Sequence, residues 1–106
     1  MTASGRRFDQ IELGETLPPM DVAASADGAP VVRLIERFVA AWAGGGAILD
    51  EVRILRDLPA RHADVLQLAG RVYGRHMDGS RRIEVEVTGR DGLGDRLGGM
   101  VRVKLA

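Results

Sequence analysis

The chain has 106 residues, of which 45% are hydrophobic and 28% charged, a composition typical of one globular domain and not of a disordered chain. Its 15 Lys and Arg balance its 15 Asp and Glu, so it lacks the excess positive charge with which proteins attract nucleic acids. The absence of Cys excludes disulfides, zinc–thiolate sites and thiol catalysis, and it is compatible with the cytoplasm, where we expect the protein. No apolar run approaches the ~20 residues of a membrane span, so we expect no membrane partner.

The N-terminal part of the sequence predicts a flexible tail over residues 1–7, followed by one domain over residues 8–106. The first apolar side chains of this domain are expected to lie against an edge of the core; they are Phe8, Ile11, Leu13 and Leu17. Pro18-Pro19 enforces an extended backbone, because each ring fixes φ and restricts the residue before it. A short edge strand is predicted over Met20–Ala23.

The clearest helix is predicted over Pro30–Trp42. Its large apolar side chains recur every three or four residues: Val31, Leu34, Ile35, Phe38, Val39 and Trp42. Proline suits the first turn of a helix, and the glycines of Gly44–Gly46 end it. Burying five or six such side chains contributes ~8–15 kcal/mol at ~1.5–3 kcal/mol each, which is comparable to the net stability of a domain. We therefore expect this helix at the centre of the core.

Four strands are predicted after the helix: Ala47–Leu55, Asp64–Arg75, Arg81–Arg90 and Arg96–Ala106. Alternation assigns every second residue to the core; strand by strand, these are Ile48, Val52, Ile54; Leu66, Leu68, Gly70, Val72; Ile83, Val85, Val87; and Val101, Val103, Leu105. Asp78-Gly79 favours a hairpin between the second and third of these strands. Short connections predict an antiparallel meander, and that meander must curl to enclose the helix.

Several segments of the sequence resemble those of the MaoC-like hydratases. The run Phe8-Asp9-Gln10-Ile11-Glu12-Leu13-Gly14-Glu15-Thr16-Leu17-Pro18 is similar to the opening of these proteins, and Phe38–Gly44 to the end of their central helix. Asp57–Leu66 is similar to their Pro-x-x-x-Gly-Asp connection, with Ala63 where Gly is usual. The stretch from Phe38 to Ala106 resembles the small subunits of the heteromeric hydratases of bacterial steroid side-chain breakdown. The resemblance implies an α+β hot-dog fold, in which a curled antiparallel sheet of about five strands wraps one central helix.

One departure from that family bears on function. Its hydratases carry an Asp followed about five residues later by a His, between the first strand and the central helix, as an acid–base couple. The corresponding interval here, Met20–Ala29, holds Asp21 and Asp27 but no His, and the first His of the chain is His62. Losing one acid–base group typically costs ~10²–10⁴ in rate, so losing both should leave no useful hydratase activity in the chain alone.

A few residues remain as candidates for chemistry or binding. His62 lies in a predicted loop and is interpreted as a surface residue or as a relocated base. Glu36 is a candidate because hot-dog thioesterases place a carboxylate on the central helix, but it shares a polar face with Arg33 and Arg37. Gly28, just before the helix, and Trp42 are the candidates for binding substrate. His76 is interpreted as a turn residue, and four arginines near one hairpin as solvated or as contacts for phosphates: Arg71, Arg75, Arg81 and Arg82.

The resemblance therefore implies a degenerate MaoC-like subunit, not catalytic by itself, that contributes to an acyl-CoA pocket in a hot-dog dimer. Its partner is expected to be a second copy or a catalytic hot-dog subunit, and the substrate an enoyl-CoA with a bulky acyl group. Coenzyme A enters only as part of that substrate, and neither another cofactor nor a metal is expected. Two alternatives stay open: a hot-dog thioesterase that uses Glu36 or an Asp near the helix start, and an acyl-CoA-binding or scaffold module without turnover.

Overall fold

The computed structural model describes residues 6–23, 31–58, 65–92 and 94–106. Within these ranges one α-helix and five strands follow a single turn of 3₁₀-helix, Phe8–Gln10. In chain order the elements are β1 (Thr16–Ala23), α1 (Val31–Ala43), β2 (Ile48–Asp57), β3 (Val65–Arg75), β4 (Arg82–Asp91) and β5 (Gly94–Lys104). Every element predicted from the sequence is present, although β1 begins at Thr16 and not at Met20.

The five strands form one antiparallel sheet in the order β1-β3-β4-β5-β2. β3, β4 and β5 are consecutive neighbours, as the short turns between them predict. The prediction that β2 belongs to the same meander was wrong. β2 pairs with β5 and lies at one edge of the sheet, while β1 lies at the other. The helix contacts β1, β2 and β5, so it lies across the concave side of the sheet, between the two edge strands.

The core forms where α1 packs on the concave face of the sheet, as the periodicity of the helix predicts. Ile35, Phe38 and Val39 of the helix are buried, and Phe38 is the largest fully enclosed side chain. The sheet contributes the predicted alternate residues of its three central strands: Leu66, Leu68, Val72, Ile83, Val85, Val87, Val101 and Val103, with Leu105 just after β5. The side chains that pack between α1 and the sheet in the described residues are apolar, so this core is held by apolar packing. The enclosed carboxylate of Asp91, 0% exposed at the end of β4, forms an ion pair with Arg96 at 2.8 Å.

The predicted facing of β2 was only partly correct. Val52 is partly buried against the core, as predicted, but Ile48 is 55% exposed and Ile54 40% exposed. The register with β5 shifts between Leu49 and Glu51 and again between Ile54 and Arg56, so the strand has two bulges. The bulge between Leu49 and Glu51 adds one residue and reverses the alternation, which moves Ile48 away from the core face and brings Leu49 onto it. Ile54 is opposite Gly99 on the core face, as predicted, and is partly exposed because β2 is an edge strand.

Turn chemistry fixes the hairpin between β3 and β4. Gly79 has a φ of +83°, a conformation that other residues rarely adopt, and the backbone N–H of Ser80 donates a hydrogen bond to Asp78. The N–H of His76 donates to the carbonyl of Arg82 and joins the two ends of the turn. The Asp78-Gly79 signal in the sequence is therefore confirmed.

The segment before β1 lies across one end of the helix. The backbone N–H of Arg6 donates to the carbonyl of Ala43, and its guanidinium forms an ion pair with Glu15 at 2.9 Å. Within the predicted tail over residues 1–7, Arg6 thus contacts the end of α1 and Glu15, while residues 1–5 lie outside the described part. Ile11 and Leu17 are buried as predicted, but Leu13 is exposed, because the chain turns at Gly14 with a φ of +85°.

Candidate functional site

Two of the four candidate site residues fall outside the described part of the chain: Gly28 and His62. Asp27 lies outside it as well, so the interval that resembles the catalytic segment contributes only Met20–Ala23 to the structure. Asp21 is exposed on β1, where its backbone is opposite Gln67. The remaining candidates, Glu36 and Trp42, are both on α1.

Glu36 is partly buried on α1, between the exposed Arg33 and Arg37. Among the described residues it makes no hydrogen bond or ion pair, and it lines none of the clefts found there. A carboxylate that acts as a base or nucleophile needs a cavity in which substrate can reach it. The surroundings of Glu36 therefore do not favour the thioesterase alternative.

Trp42 lines a mostly apolar cleft between the last turns of α1 and the proline-containing part of β1. The cleft has a volume of about 210 Å³ and is lined by Pro18, Pro19, Met20, Phe38, Ala41 and Trp42. We refer to it as the Trp42 cleft. The guanidinium of Arg6 lies 5.3 Å from the centre of the indole ring, and the indole Nε1 is buried without a hydrogen-bond partner among the described residues. An apolar recess with one unused donor suits an apolar group better than an ion.

The described imidazole–carboxylate contact lies on the opposite side of the sheet. Nε2 of His76 is 2.7 Å from Glu84, whose carboxylate also accepts a hydrogen bond of 2.8 Å from Arg102. Burial raises the pKa of Glu84, but the hydrogen bonds with Arg102 and His76 outweigh that effect, and the pKa lies below its ordinary value of 4.5. Glu84 lies between the buried Ile83 and Val85 and so points to the convex face. The pair is thus separated from α1 by the sheet.

The interpretation of His76 as a simple turn residue was therefore incomplete, since its side chain is partly buried and paired with Glu84. The signal was present in the sequence: His76 follows β3, and Glu84 is an outward position of β4 in the same hairpin. Cross-strand neighbours of opposite charge are expected to meet across so short a turn.

The four arginines near this hairpin do not converge on one site. Arg71 pairs with Glu86 at 3.0 Å, and Arg82 pairs with Asp50 on β2. Arg75 donates a hydrogen bond to the carbonyl of Phe8 and stacks 4.4 Å from the centre of its ring. Three of the four thus pair with residues of different parts of the fold, which argues against a common phosphate-binding site at this position.

The edge of β2 is an open feature that the sequence did not reveal. β1, at the other edge, contains Pro18 and Pro19, which have no N–H to offer a further strand. β2 has ten residues without proline, and Ile54 and Leu55 are 40% and 62% exposed. A long edge strand with exposed apolar side chains is a template for pairing with another chain.

No cluster of three or more metal-ligating side chains occurs in the described ranges. The single helix found there is too short to cross a membrane.

No protein-family model matches the chain, and no curated protein sequence matches it. Solved structures do match. A chain of the ChsH1-ChsH2 complex from Mycobacterium tuberculosis is similar with a TM-score of 0.76 and 20% identity, over 90% of this chain and 98% of that chain. The R-hydratase PhaJ1 from Pseudomonas aeruginosa has a TM-score of 0.76 and 15% identity, over 95% of this chain and 86% of that chain.

A MaoC-like dehydratase has a TM-score of 0.79 and 15% identity, and the match covers 96% of this chain but 43% of that chain. At sequence identities this low, the structural similarity shows the fold alone. Together with the sheet order and the enclosed helix, these matches confirm the hot-dog fold that the sequence phrases predict.

Proposed function

We propose that the chain is a MaoC-like subunit without an acid–base couple of its own, which binds an acyl-CoA within a hot-dog dimer and does not hydrate it alone. The observation that carries this proposal is the wholly apolar packing between α1 and the concave face of the sheet in the described residues. Hydration of an enoyl thioester requires a carboxylate and an imidazole that exchange protons with water and substrate. In that part of the chain the side chains between the helix and the sheet include no imidazole, and the enclosed carboxylate of Asp91, at the end of β4, is paired with Arg96 at 2.8 Å.

The position of the described His–Glu pair supports the same conclusion. His76 and Glu84 lie on the convex face, and Glu84 is additionally bound by Arg102, which keeps its carboxylate ionised and occupied. A general base needs a free lone pair within reach of a substrate proton. The interval Met20–Ala29 contains no His in the sequence, so it contains no imidazole to complete the couple.

The Trp42 cleft is the candidate site for the acyl group. Its lining is mostly apolar, and its volume of about 210 Å³ is below the roughly 300–1,000 Å³ of a complete ligand pocket. We therefore assign to it an apolar part of the acyl chain and not the whole thioester. Coenzyme A is proposed as part of the ligand, with no further cofactor, and the cytoplasm as the compartment.

The dimer is proposed to form through the β2 edge. The prolines of β1 close the opposite edge, whereas β2 leaves backbone groups and apolar side chains uncovered. The proposed partner is a second copy or a catalytic hot-dog subunit, and both pairings extend the sheet in the same way.

The first experiment assays the isolated chain for hydration of enoyl-CoA substrates with short, medium and polycyclic acyl groups. We expect no turnover, because the acid–base couple is missing, but thermal stabilisation by acyl-CoA that free coenzyme A does not produce. Hydration by the isolated chain would contradict the proposal. Turnover that appears only on mixing with a catalytic hot-dog hydratase subunit would support a heteromeric role.

A matched pair of variants tests the Trp42 cleft. Ala41→Leu fills the cleft from an exposed helical position, whereas Ala40→Leu adds the same atoms one residue away, outside the lining. Leucine is a good helix former at both positions, so both variants should fold. We expect weaker acyl-CoA binding for Ala41→Leu only. Equal affinities would show that the acyl group does not enter this cleft, and hydrolysis of acyl-CoA abolished by Glu36→Gln would support the thioesterase alternative instead.

A further inference from the structure

Two arginines on the solvent side of α1 form a ridge that leads to the Trp42 cleft. Arg33, Arg37 and Ala41 follow one another at intervals of four residues, so they lie along one line of the helix surface. All three are exposed, and Ala41 lines the cleft. At 1.5 Å of rise per residue, Arg37 lies about 6 Å and Arg33 about 12 Å from Ala41 along the helix axis. The two residues are therefore roughly one and two turns from the cleft.

The helix itself gains no stability from these two charges. Arg33 is in the first turn of α1, where the helix dipole disfavours a cation, and that turn contains no acidic residue. Arg33 and Arg37 are in addition like charges at positions i and i+4, a spacing that destabilises a helix. The pair therefore opposes the folding of α1 on two counts, and a purely structural role does not account for it.

In the part of the chain that the structure describes, no carboxylate offsets the pair. Several arginines on the sheet form ion pairs, as Arg71 does with Glu86 and Arg102 with Glu84. Arg33 and Arg37 form none, and Glu36 contacts neither of them although it is adjacent in sequence. Glu36 lies about 140° from Ala41 around the helix, on the side away from the cleft. Two unpaired guanidinium groups beside an apolar cleft suit a ligand that is anionic at one end and apolar at the other.

From this arrangement we infer that Arg33 and Arg37 bind the phosphate groups of an acyl-CoA whose acyl group occupies the Trp42 cleft. Guanidinium groups bind phosphates through paired N–H donors, and the bound anion relieves the repulsion between the two arginines. In an acyl-CoA the pantetheine arm separates the acyl group from the phosphates, and here it would run along the ridge. The inference rests on the proposed function for its acyl-CoA ligand and deepens it by naming the residues that hold the nucleotide end.

The acyl and phosphate contacts are expected to act only together. An exposed ion pair changes an equilibrium by about fivefold or less, so the phosphates alone bind weakly. An acyl group in the Trp42 cleft raises the effective concentration of the phosphates at Arg33 and Arg37. Free coenzyme A has the phosphates but no acyl group, which is why it is not expected to stabilise the chain.

Thioesters with and without phosphates test the pair. Each acyl group of the hydration assay is presented as its coenzyme A thioester and as its pantetheine thioester, which has no phosphate, and calorimetric titration gives the dissociation constants. We expect the wild-type chain to bind the coenzyme A thioester about tenfold more tightly, with a smaller difference at high salt. Arg33→Gln and Arg37→Gln should each weaken binding of the coenzyme A thioester about threefold and leave binding of the pantetheine thioester unchanged.

Arg81→Gln is the matched control. Arg81 is an exposed arginine in the turn between β3 and β4, and its side chain has no ion-pair partner among the described residues. Arg33→Lys and Arg37→Lys keep the charge and lose the paired donors, so they should retain part of the affinity. Thermal unfolding without ligand is a second measurement: because the pair is unfavourable to α1, both Gln variants should unfold at the same temperature as wild type or at a higher one.

The possible failures are distinct. Losses of equal size for the two kinds of thioester, or a loss with Arg81→Gln as large as with Arg37→Gln, would overturn the inference and leave the proposed function intact. A lower unfolding temperature of the unliganded Gln variants would overturn it as well, because the arginines would then serve the stability of the helix. Absence of binding of every thioester, with or without phosphates, would contradict the proposed function and the inference together.

Discussion

Gly99→Ala is expected to destabilise the fold because α1, β2 and β5 meet at this residue. A Cβ atom at Gly99 would lie 2.8 Å from the carbonyl oxygen of Arg53 and 3.0 Å from the terminal methyl carbon of Ile35. The first distance is about 0.6 Å short of the 3.4 Å at which ordinary contact begins, and the atom concerned belongs to the backbone of β2. The strand or the helix must therefore move, and neither can do so without loosening the core.

The magnitude follows from two opposing effects. Adding atoms to a well-packed core costs about 1–3 kcal/mol, while replacing glycine by alanine in an extended strand returns about 0.4–1 kcal/mol by restricting the unfolded chain. We expect a net loss of about 1–2 kcal/mol in the free energy of unfolding, which for a chain of this size lowers Tm by roughly 10 °C.

Urea titrations followed by circular dichroism measure the loss, and Gly98→Ala is the matched control. A Cβ at Gly98 has its nearest neighbour at 3.8 Å, on the side chain of Arg56, so this variant should be neutral or slightly stabilising. Equal midpoints for the two variants would show that the close approach of β2, β5 and α1 at Gly99 is not a constraint on this protein.

Folding lowers the pKa of Glu84 below 4.5, so the stability gained from its ionised form is present above that pH and is lost as the pH falls through the folded-state pKa. Urea midpoints from about pH 6 to pH 3 should therefore decline less for Glu84→Gln than for wild type or for the exposed-site control Asp9→Asn. Phe38→Ala should cost about 3–5 kcal/mol in the same titrations, and Phe8→Ala less, because Phe8 is only partly buried. Trp42 is the single Trp, so its emission should change with acyl-CoA and not with free coenzyme A; unchanged emission despite measured binding would place the ligand elsewhere.

The helix and the three central strands could be predicted because the core residues of each follow one periodicity. The register shifts of these strands, between Val72 and Gly74 and between Gly89 and Arg90, lie outside those core runs. Ile83, Val85 and Val87 alternate without a bulge between them, and all three are fully buried. In α1 the spacing of Ile35, Phe38 and Val39 identifies the buried face in the same way. A central strand is covered on one face and paired on both sides, so its pattern has little freedom to differ from the ideal.

β2 was less predictable because alternation identifies a core face only while the strand stays regular. Each of its bulges adds a residue, and the order of apolar and polar side chains does not show where that happens. Its place in the sheet is equally hidden, since a strand that follows a helix can pair at either edge. The outward facing of Ile48 therefore required knowledge of the register, and the exposure of Ile54 required knowledge that β2 is an edge strand.

The candidate site, too, could be predicted only in part from the sequence. Trp42 was identified by its position on the helix, and the structure adds the prolines of β1, which complete the cleft from a distant part of the sequence. The contact of His76 with Glu84 was missed because His76 was interpreted only as a turn residue, although the predicted hairpin places the two residues close together. Gly28 and His62 remain predictions, since they lie outside the described residues.

The apolar packing of α1 on the sheet is compatible with the proposed loss of acid–base chemistry. A buried ionisable group must be removed from water, at a cost that packing has to offset. In the described residues the packing of α1 on the sheet carries no such cost, so its stability does not depend on any acid–base group being retained. The proposed function instead uses two surface features, the Trp42 cleft and the β2 edge. Variants that fill the cleft should therefore change ligand binding without unfolding the chain, and charge reversals at the edge should change assembly, each independently of the other.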